Sequence, residues 1–300
     1  MRSKQVALTV IGVGLALAPP AAASVIGTFS SARPGIDYRG DLFGGIYMTQ
    51  ARAATLGDGH TLVNMDAGIT REILSRVDSV YLPTTDTESF DPIVTSEEAR
   101  LLCEFAEHGG KLIVQGDSGL YRGPRYNSVA EEFGVRYLSA PGRIHGSGLR
   151  LDGELQELTT GPYGVSSVVP ASHMATLEIG TSSGRVILDY QDKVSLYAMN
   201  PETGWAGLGT VVFLGDVNHF EDILGWTSHA PILWRNMMSM PSVPFCYVDC
   251  DSDGEVTFFD FLCFQDRFAS GHPEADCDVD GVLTFFDFLC YQDVFAAGCG

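Results

Sequence analysis

The first 240 residues alternate between short apolar runs and stretches in which apolar residues recur at helical spacing. Short apolar runs predict strands, whereas intervals of three and four residues predict helices. Strands and helices alternate over 60–65, 68–77, 79–82, 96–108, 111–115 and 127–133. Strands then dominate, at 165–169, 175–179, 185–190, 194–199 and 210–214, before a final helix at 232–240. This order predicts a three-layer α/β domain, with helices on both faces of a parallel sheet and an antiparallel insertion.

The longest predicted helix of this domain has clear signals at both ends. Thr95 is a good N-cap residue, and Glu98 follows at the spacing of a capping box. Gly109 and Gly110 come directly after the apolar stripe and predict where the helix ends. Cys103 lies inside this helix, where we expect a buried structural thiol rather than a nucleophile.

The N-terminus has the pattern of a secretory signal peptide. Arg2 and Lys4 give a basic start, and the apolar run at 6–18 is too short to span a bilayer. Small residues at 21–23 provide a cleavage site before Ser24. A buried N-terminal helix would not need these flanks, so we expect residues 1–23 to be removed on export. No other run is long enough for a transmembrane helix.

An internal repeat occupies the C-terminal part of the chain. Residues 249–271 align with 276–298 without a gap, and 17 of the 23 positions are identical. The period is 27 residues, because position 276 corresponds to position 249. Identity at this level indicates a duplicated structural unit.

Each repeat opens with the spacing of an EF-hand calcium loop. Oxygen ligands recur at loop positions 1, 3, 5, 7, 9 and 12, and Gly254 and Gly281 stand at position 6, where the loop turns sharply. The expected ligands are Asp249, Asp251, Asp253, Glu255, Thr257 and Asp260 in the first loop, and Asp276, Asp278, Asp280, Val282, Thr284 and Asp287 in the second. Position 12 is Asp instead of the usual Glu. The pattern predicts two bound calcium ions rather than two acidic turns.

The charge distribution agrees with a cation-binding tail. The formal net charge is −20. Residues 244–300 hold 12 acids and one base, or −11, which leaves −9 for the rest of the chain. Such a surface argues against binding to nucleic acid.

The cysteines are concentrated in the same tail. Six of the seven lie there, which predicts three disulfides in a small exported module. Six cysteines allow 15 pairings, and the spacing does not choose among them. The predicted disulfide cysteines are Cys246, Cys250, Cys263, Cys277, Cys290 and Cys299.

The duplicated unit of one calcium loop and one helix resembles the dockerin module, in its cysteine-rich form at the C-termini of exported proteins. The resemblance covers 246–300 and implies a small all-α, EF-hand-type module that binds a cohesin-type or cell-surface protein. It also implies a disulfide between Cys246 and Cys299, at the two ends of the module. Its partner-binding positions correspond to Phe258, Phe259, Gln265, Asp266, Phe285, Phe286, Gln292 and Asp293.

Two readings of the four phenylalanines among these positions stay open. They either form an apolar face for the partner or belong to the core of the module. Because so small a module has few core residues, we expect some of the four rings to be core.

The larger domain resembles the class I glutamine-amidotransferase-like α/β domains, which have a flavodoxin-like parallel sheet. The resemblance rests on the strand at 111–115 with Gly116 to Gly119 after it, and on the later strand followed by His219 and Glu221. Active members carry a cysteine nucleophile in the first turn, where this chain has Ser118. The resemblance therefore implies a non-catalytic domain, and the alternative is a hydrolase that uses Ser118, His219 and Glu221.

These patterns predict a secreted or cell-surface protein in four segments. They are a signal peptide at 1–23, the α/β domain at 24–240, a linker at 241–245 and the dockerin-like module at 246–300. The predicted function is calcium-dependent anchoring. The alternatives are the exported hydrolase and a purely structural envelope protein.

Overall fold

The computed structural model describes residues 23–86, 91–117, 125–138, 145–147, 156–166, 170–172, 175–181, 183–190, 193–222, 226, 229–251 and 253–298. The predicted signal peptide lies almost entirely outside this set. The strands are β1 (Val25–Thr28), β2 (Thr61–Asn64), β3 (Ser79–Leu82), β4 (Lys111–Gln115), β5 (Val135–Leu138), β6 (His145–Ser147), β7 (Pro170–Ser172), β8 (Thr176–Ile179), β9 (Arg185–Tyr190), β10 (Lys193–Met199) and β11 (Thr210–Leu214). The helices are α1 (Thr49–Gly57), α2 (Arg71–Leu74), α3 (Ser96–Glu107), α4 (Asn127–Ala130), α5 (Gln156–Thr159), α6 (Ala230–Met238), α7 (Phe258–Ser270) and α8 (Phe285–Ala297).

A nine-stranded mixed sheet forms the centre of the larger domain. Its order is β2-β1-β3-β4-β11-β10-β8-β5, and β9 also pairs with β10. The strands from β2 to β11 run parallel in the order 2-1-3-4-5 of flavodoxin-like sheets. The pairings among β11, β10, β9, β8 and β5 are antiparallel.

The α/β class predicted from the sequence is therefore confirmed, but the sheet is parallel in one half only. Only two residues join β9 to β10, and a parallel crossover needs a dozen or more, so this pair must be antiparallel. The predicted antiparallel insertion thus continues the main sheet. The hairpin of β6 and β7 forms a separate small sheet.

Alternating side chains along the central strands build two hydrophobic cores. Leu112 and Val114 face the core that α3 and α4 cover, whereas Ile113 faces the core that α1 and α6 cover. The same alternation recurs in β3 and β11. Helices on both faces give the three layers that the sequence predicted.

Local sequence explains where several elements begin and end. Thr95 and Glu98 form the predicted capping box of α3. The helix predicted at 68–77 is reduced to α2, because Gly68 has a φ of 128° and Thr70 caps the helix instead. Positions 165 and 166 of a predicted strand are irregular, and positions 167–169 lie outside the described residues.

One fully buried cation ties the sheet to α6. Lys111 begins β4, and its Nζ donates hydrogen bonds to the carbonyl oxygens of Met238 and Met240, the latter at 2.9 Å. Desolvation by burial lowers the pKa of Lys111 to about 7, although the negative charge of Asp78 opposes this change.

The segment 241–245, predicted as a linker, is anchored to the α/β domain. The Val243 N–H donates to the Gly109 carbonyl at 2.8 Å, and the Phe245 ring lies 5.7 Å from the Phe105 ring and 5.9 Å from the His108 ring. Gly109 is required here, because a Cβ atom would lie 2.6 Å from Val243 Cβ.

The tail packs its two helices through aromatic rings that correspond between the repeats. Phe264 and Tyr291, which are 27 residues apart, stack at 3.7 Å with an interplanar angle of 7°. The contact of Phe261 with Phe295, at 6.1 Å, corresponds to that of Phe288 with Phe268, at 6.3 Å. The duplicated sequence therefore forms a unit with approximate two-fold symmetry.

None of the helices in the described residues has the length and apolar character needed to span a membrane.

Candidate functional site

Each predicted calcium loop brings carboxylate groups together. In the first loop, ligand oxygens of Asp249, Asp251 and Asp253 all lie within 4.8 Å of one another. In the second loop, Asp276, Asp278 and Asp287 meet the same limit. Gly254 and Gly281 have φ values of 88° and 83°, which is the left-handed conformation that a sharp turn at position 6 requires.

Backbone N–H groups orient these carboxylates from within the loops. Asp249 accepts from the Asp253 and Gly254 N–H groups at 3.1 and 2.9 Å. Asp276 accepts from Asp280 and Gly281 at 3.2 and 3.0 Å. The N–H groups of Glu255 and Val282 donate to the carboxylates at loop position 5. Hydrogen bonds within each loop therefore hold its carboxylates in position.

The acids at position 12 close the loops and cap the helices that follow. Asp260 and Asp287 are fully buried, and each accepts the N–H of the threonine that caps α7 or α8, at 2.6 and 2.7 Å. Each also accepts an N–H from position 3 of its loop at 3.3 Å. The Thr257 and Thr284 hydroxyls accept from the helix N-termini, so the threonines act as N-caps.

The loops concentrate negative charge in a small volume. Loss of hydration and the charge of Asp260 raise the pKa of Asp251, and the same two causes, with Asp287, raise the pKa of Asp278. At Asp287 burial alone would raise the pKa. Hydrogen bonds from backbone N–H groups, first that of Thr284 and then that of Asp278, outweigh burial and lower the pKa. An all-oxygen donor set with this repulsion suits a hard divalent cation such as Ca²⁺.

Disulfides attach each loop to its own helix. Cys250 bonds to Cys263, and Cys277 bonds to Cys290, 13 residues apart in both repeats. The sequence analysis left these pairings open. The repeat contains a pattern that favours these two pairings, because each copy carries two cysteines at corresponding positions. Cys246 is also disulfide-bonded, and its predicted partner Cys299 lies outside the described residues.

The eight predicted partner-binding residues are all on the surface. The Phe258 and Phe285 side chains are each 66% exposed, and Phe259 and Phe286 are each 69% exposed. The expectation that some of these four rings belong to the core is therefore wrong, because other rings fill it. The polar predicted residues, Gln265, Asp266, Gln292 and Asp293, are exposed as well.

We name the exposed apolar groups the first ring patch (Phe258, Phe259 and Leu262) and the second ring patch (Phe285, Phe286 and Leu289). The two leucines are 42% and 40% exposed. Each patch lies on the helix that directly follows a predicted calcium loop.

The residues of the alternative hydrolase are partly described. Ser118 lies outside the described residues. His219 is fully buried in the turn after β11, and its Nε2 is 3.4 Å from the hydroxyl of Ser195, a residue that the sequence analysis did not select. Glu221 accepts a hydrogen bond from the Asn218 amide. In this conformation the imidazole is closed to solvent.

Comparison with known proteins gives a fold for the larger domain. No protein-family model and no curated protein sequence match the chain. Among solved structures, it is similar to the mmIFT52 N-terminal domain, with 14% identity, a TM-score of 0.53 and coverage of 73% of this chain and 99% of that one. It is also similar to the cytoplasmic protein STM3548 from Salmonella typhimurium, with 12% identity, a TM-score of 0.47 and coverage of 73% and 99%. A ThuA-like protein from Bacteroides uniformis has 11% identity, a TM-score of 0.40 and coverage of 71% and 88%.

Only the first of these similarities has a TM-score above 0.5, and at 14% identity it shows a shared fold without indicating an activity. The resemblances of the tail to dockerins and of the larger domain to amidotransferase-like domains remain predictions.

Proposed function

We propose that this chain is an exported protein that is anchored through a calcium-dependent, dockerin-like module at 246–300. The module holds two calcium ions and carries a non-catalytic α/β domain. The observation that supports this most strongly is the pair of loops in register, each with carboxylate oxygens of three acids within 4.8 Å of one another. The signal-peptide pattern at 1–23 supports export.

Calcium has a structural role in this proposal. Bringing several carboxylates together without a cation costs Coulomb energy, so the empty loops oppose folding of the module. An ion that binds the folded form alone stabilises it by mass action. Calcium thereby orders the start of α7 and α8, and with it the two ring patches.

The ring patches provide the surface for the anchoring partner. Contiguous exposed apolar side chains on a monomer mark interaction sites. Docking of the tail on the α/β domain leaves both patches exposed, so they are available in the full-length chain. The partner that fits them is a cohesin-type or other cell-surface protein with an apolar contact face.

Calcium titration of the oxidised protein tests the central claim. We expect two ions in the unaltered chain, one in Asp253→Ala, one in Asp280→Ala and none in the double variant, measured by isothermal titration calorimetry. Each substitution removes the position-5 carboxylate of one loop. Asp266→Ala removes an exposed acid outside the loops and should keep two ions. Absence of calcium binding by the unaltered protein would contradict the proposal.

A labelling experiment tests the non-catalytic role of the α/β domain. We expect a serine-reactive phosphonate to leave Ser118 unmodified in the native protein, because an activated serine needs a base that is in contact with it. Mass spectrometry of the treated protein measures this. Labelling of Ser118 that disappears in His219→Ala would establish the hydrolase alternative instead.

A further inference from the structure

One of the six positions at which the two repeats differ lies on the helix but contacts the loop. In the first repeat, Arg267 of α7 donates from Nη2 to the Cys250 carbonyl at 2.9 Å and pairs with Glu274. Cys250 stands at position 2 of the first calcium loop, so this guanidinium holds the backbone at the start of the loop. The corresponding residue of the second repeat, 27 positions later, is Val294, which cannot donate.

An arginine of the α/β domain occupies the corresponding place in the second repeat. Arg71 of α2 donates from Nη1 to the carbonyl oxygens of Asp276 and Cys277, the latter at 2.9 Å. Cys277 is the counterpart of Cys250. Arg71 therefore makes the contact with the second loop that Arg267 makes with the first, but from a different domain.

Arg71 is fixed in this position by its surroundings. Its guanidinium forms a two-point ion pair with Glu104, at 3.0 and 2.9 Å, and lies 4.0 Å from the centre of the Tyr247 ring. Burial opposes the charged form, but Glu104 raises the pKa of Arg71. Arg100 adds a hydrogen bond to the Pro273 carbonyl at 3.3 Å and lies 3.7 Å from an Asp276 carboxylate oxygen.

We propose that the α/β domain completes the second calcium loop, with Arg71 as a positioning residue that replaces the guanidinium missing at position 294. The first loop is then complete within the tail, whereas the second reaches its full calcium affinity only while the tail is docked. This inference rests on the proposed calcium binding. Because coupling between two equilibria is reciprocal, calcium in the second loop also strengthens docking.

The substitution Val294→Arg would place an arginine in the second repeat at the position that Arg267 has in the first, and there is space for it. Val294 lines a cavity of about 710 Å³ between the two domains, which Arg71, Glu72 and Cys277 also line. An arginine at 294 can therefore reach the Cys277 carbonyl once the Arg71 side chain is shortened, as Arg267 reaches Cys250.

The experiment isolates one loop at a time in the full-length chain. Asp253→Ala leaves the second loop and Asp280→Ala leaves the first, and calorimetry gives the calcium Kd of each. Arg71→Met is combined with Glu104→Gln, so that no buried carboxylate loses its partner. In the Asp253→Ala background we expect this pair to raise Kd by about tenfold or more, as for loss of a charge-assisted hydrogen bond. Adding Val294→Arg should restore the affinity.

The Asp280→Ala background provides matched controls. There, Arg71→Met with Glu104→Gln should leave the calcium Kd unchanged, whereas Arg267→Met should raise it. If the double substitution prevents folding of the α/β domain, Arg71→Lys is the alternative, because it keeps the charge beside Glu104 but loses the planar guanidinium. It should weaken calcium binding by the second loop and leave calcium binding by the first loop unchanged.

The results separate the inference from the proposed function. An unchanged Kd of the second loop, or a loss that Val294→Arg does not restore, would overturn the role of Arg71. Absence of calcium binding by each of the two single variants, Asp253→Ala and Asp280→Ala, with Arg71 in place would overturn the calcium proposal itself.

Discussion

Raising the pH from 7 to 9 is expected to stabilise the α/β domain through Lys111. The pKa of this lysine is about 7 in the folded protein and 10.5 in an unperturbed chain. Below pH 7 both states are protonated, and the desolvation cost of the buried cation is fully present. Between pH 7 and pH 10.5 the unfolded chain binds more protons, so the free energy of unfolding rises with pH. The lysine contributes about 2 kcal/mol of this rise between pH 7 and pH 9.

Denaturant unfolding at the two pH values, followed by tryptophan fluorescence, measures this effect. Trp205, Trp226 and Trp234 all lie in the α/β domain, so the signal reports on that domain alone. Lys111→Met is the control, because it removes the titrating group. The difference between the two proteins cancels Cys103, whose pKa burial raises, and the other groups that both share. Equal pH dependence in both proteins would contradict the assignment to Lys111.

Lys111 also illustrates what the sequence leaves undetermined in the fold. Its strand was predicted from the apolar run that follows it, but nothing local indicates that the cation itself is buried. Its partners are the carbonyl oxygens of Met238 and Met240, more than 120 positions away, so the contact follows from tertiary packing.

Two of the elements that the sequence analysis did not predict, β1 and α1, have weak local patterns. β1 has only four residues, and α1 is rich in small and polar residues, so neither gives a clear periodicity. By contrast, the capping residues of α3 are local signals, and they were sufficient to locate the start of that helix.

The candidate calcium loops were accessible from sequence because their ligands follow one another along the chain. Spacing alone selected the acids that the structure brings within 4.8 Å. The contact of Arg71 with the second loop joins residues more than 200 positions apart and was not predictable in this way. The difference between Arg267 and Val294 was visible in the repeat, but its meaning depends on the docked domain.

Truncation of a core ring in the tail should destabilise the module much more than truncation of an exposed ring. Phe264→Ala should destabilise the module by about 3 to 5 kcal/mol, because it removes a buried ring and leaves a cavity opposite Tyr291. The stability of so small a module is of the same order, so the variant should unfold its tail when calcium is removed. Limited proteolysis of the full-length chain, with and without chelator, measures this as cleavage within 246–298.

Phe258→Ala is the matched control, because the same side chain is truncated on the same helix, where it is 66% exposed. We expect it to cost less than about 1 kcal/mol and to leave the tail resistant to protease. Combined with Phe285→Ala, it should keep both calcium ions but lose attachment to the cell surface, since one residue of each ring patch is removed. Equal protease sensitivity of Phe264→Ala and Phe258→Ala would show that the stacked pair does not hold the module together. Retained surface attachment in the Phe258→Ala, Phe285→Ala protein would exclude the ring patches as the anchoring surface.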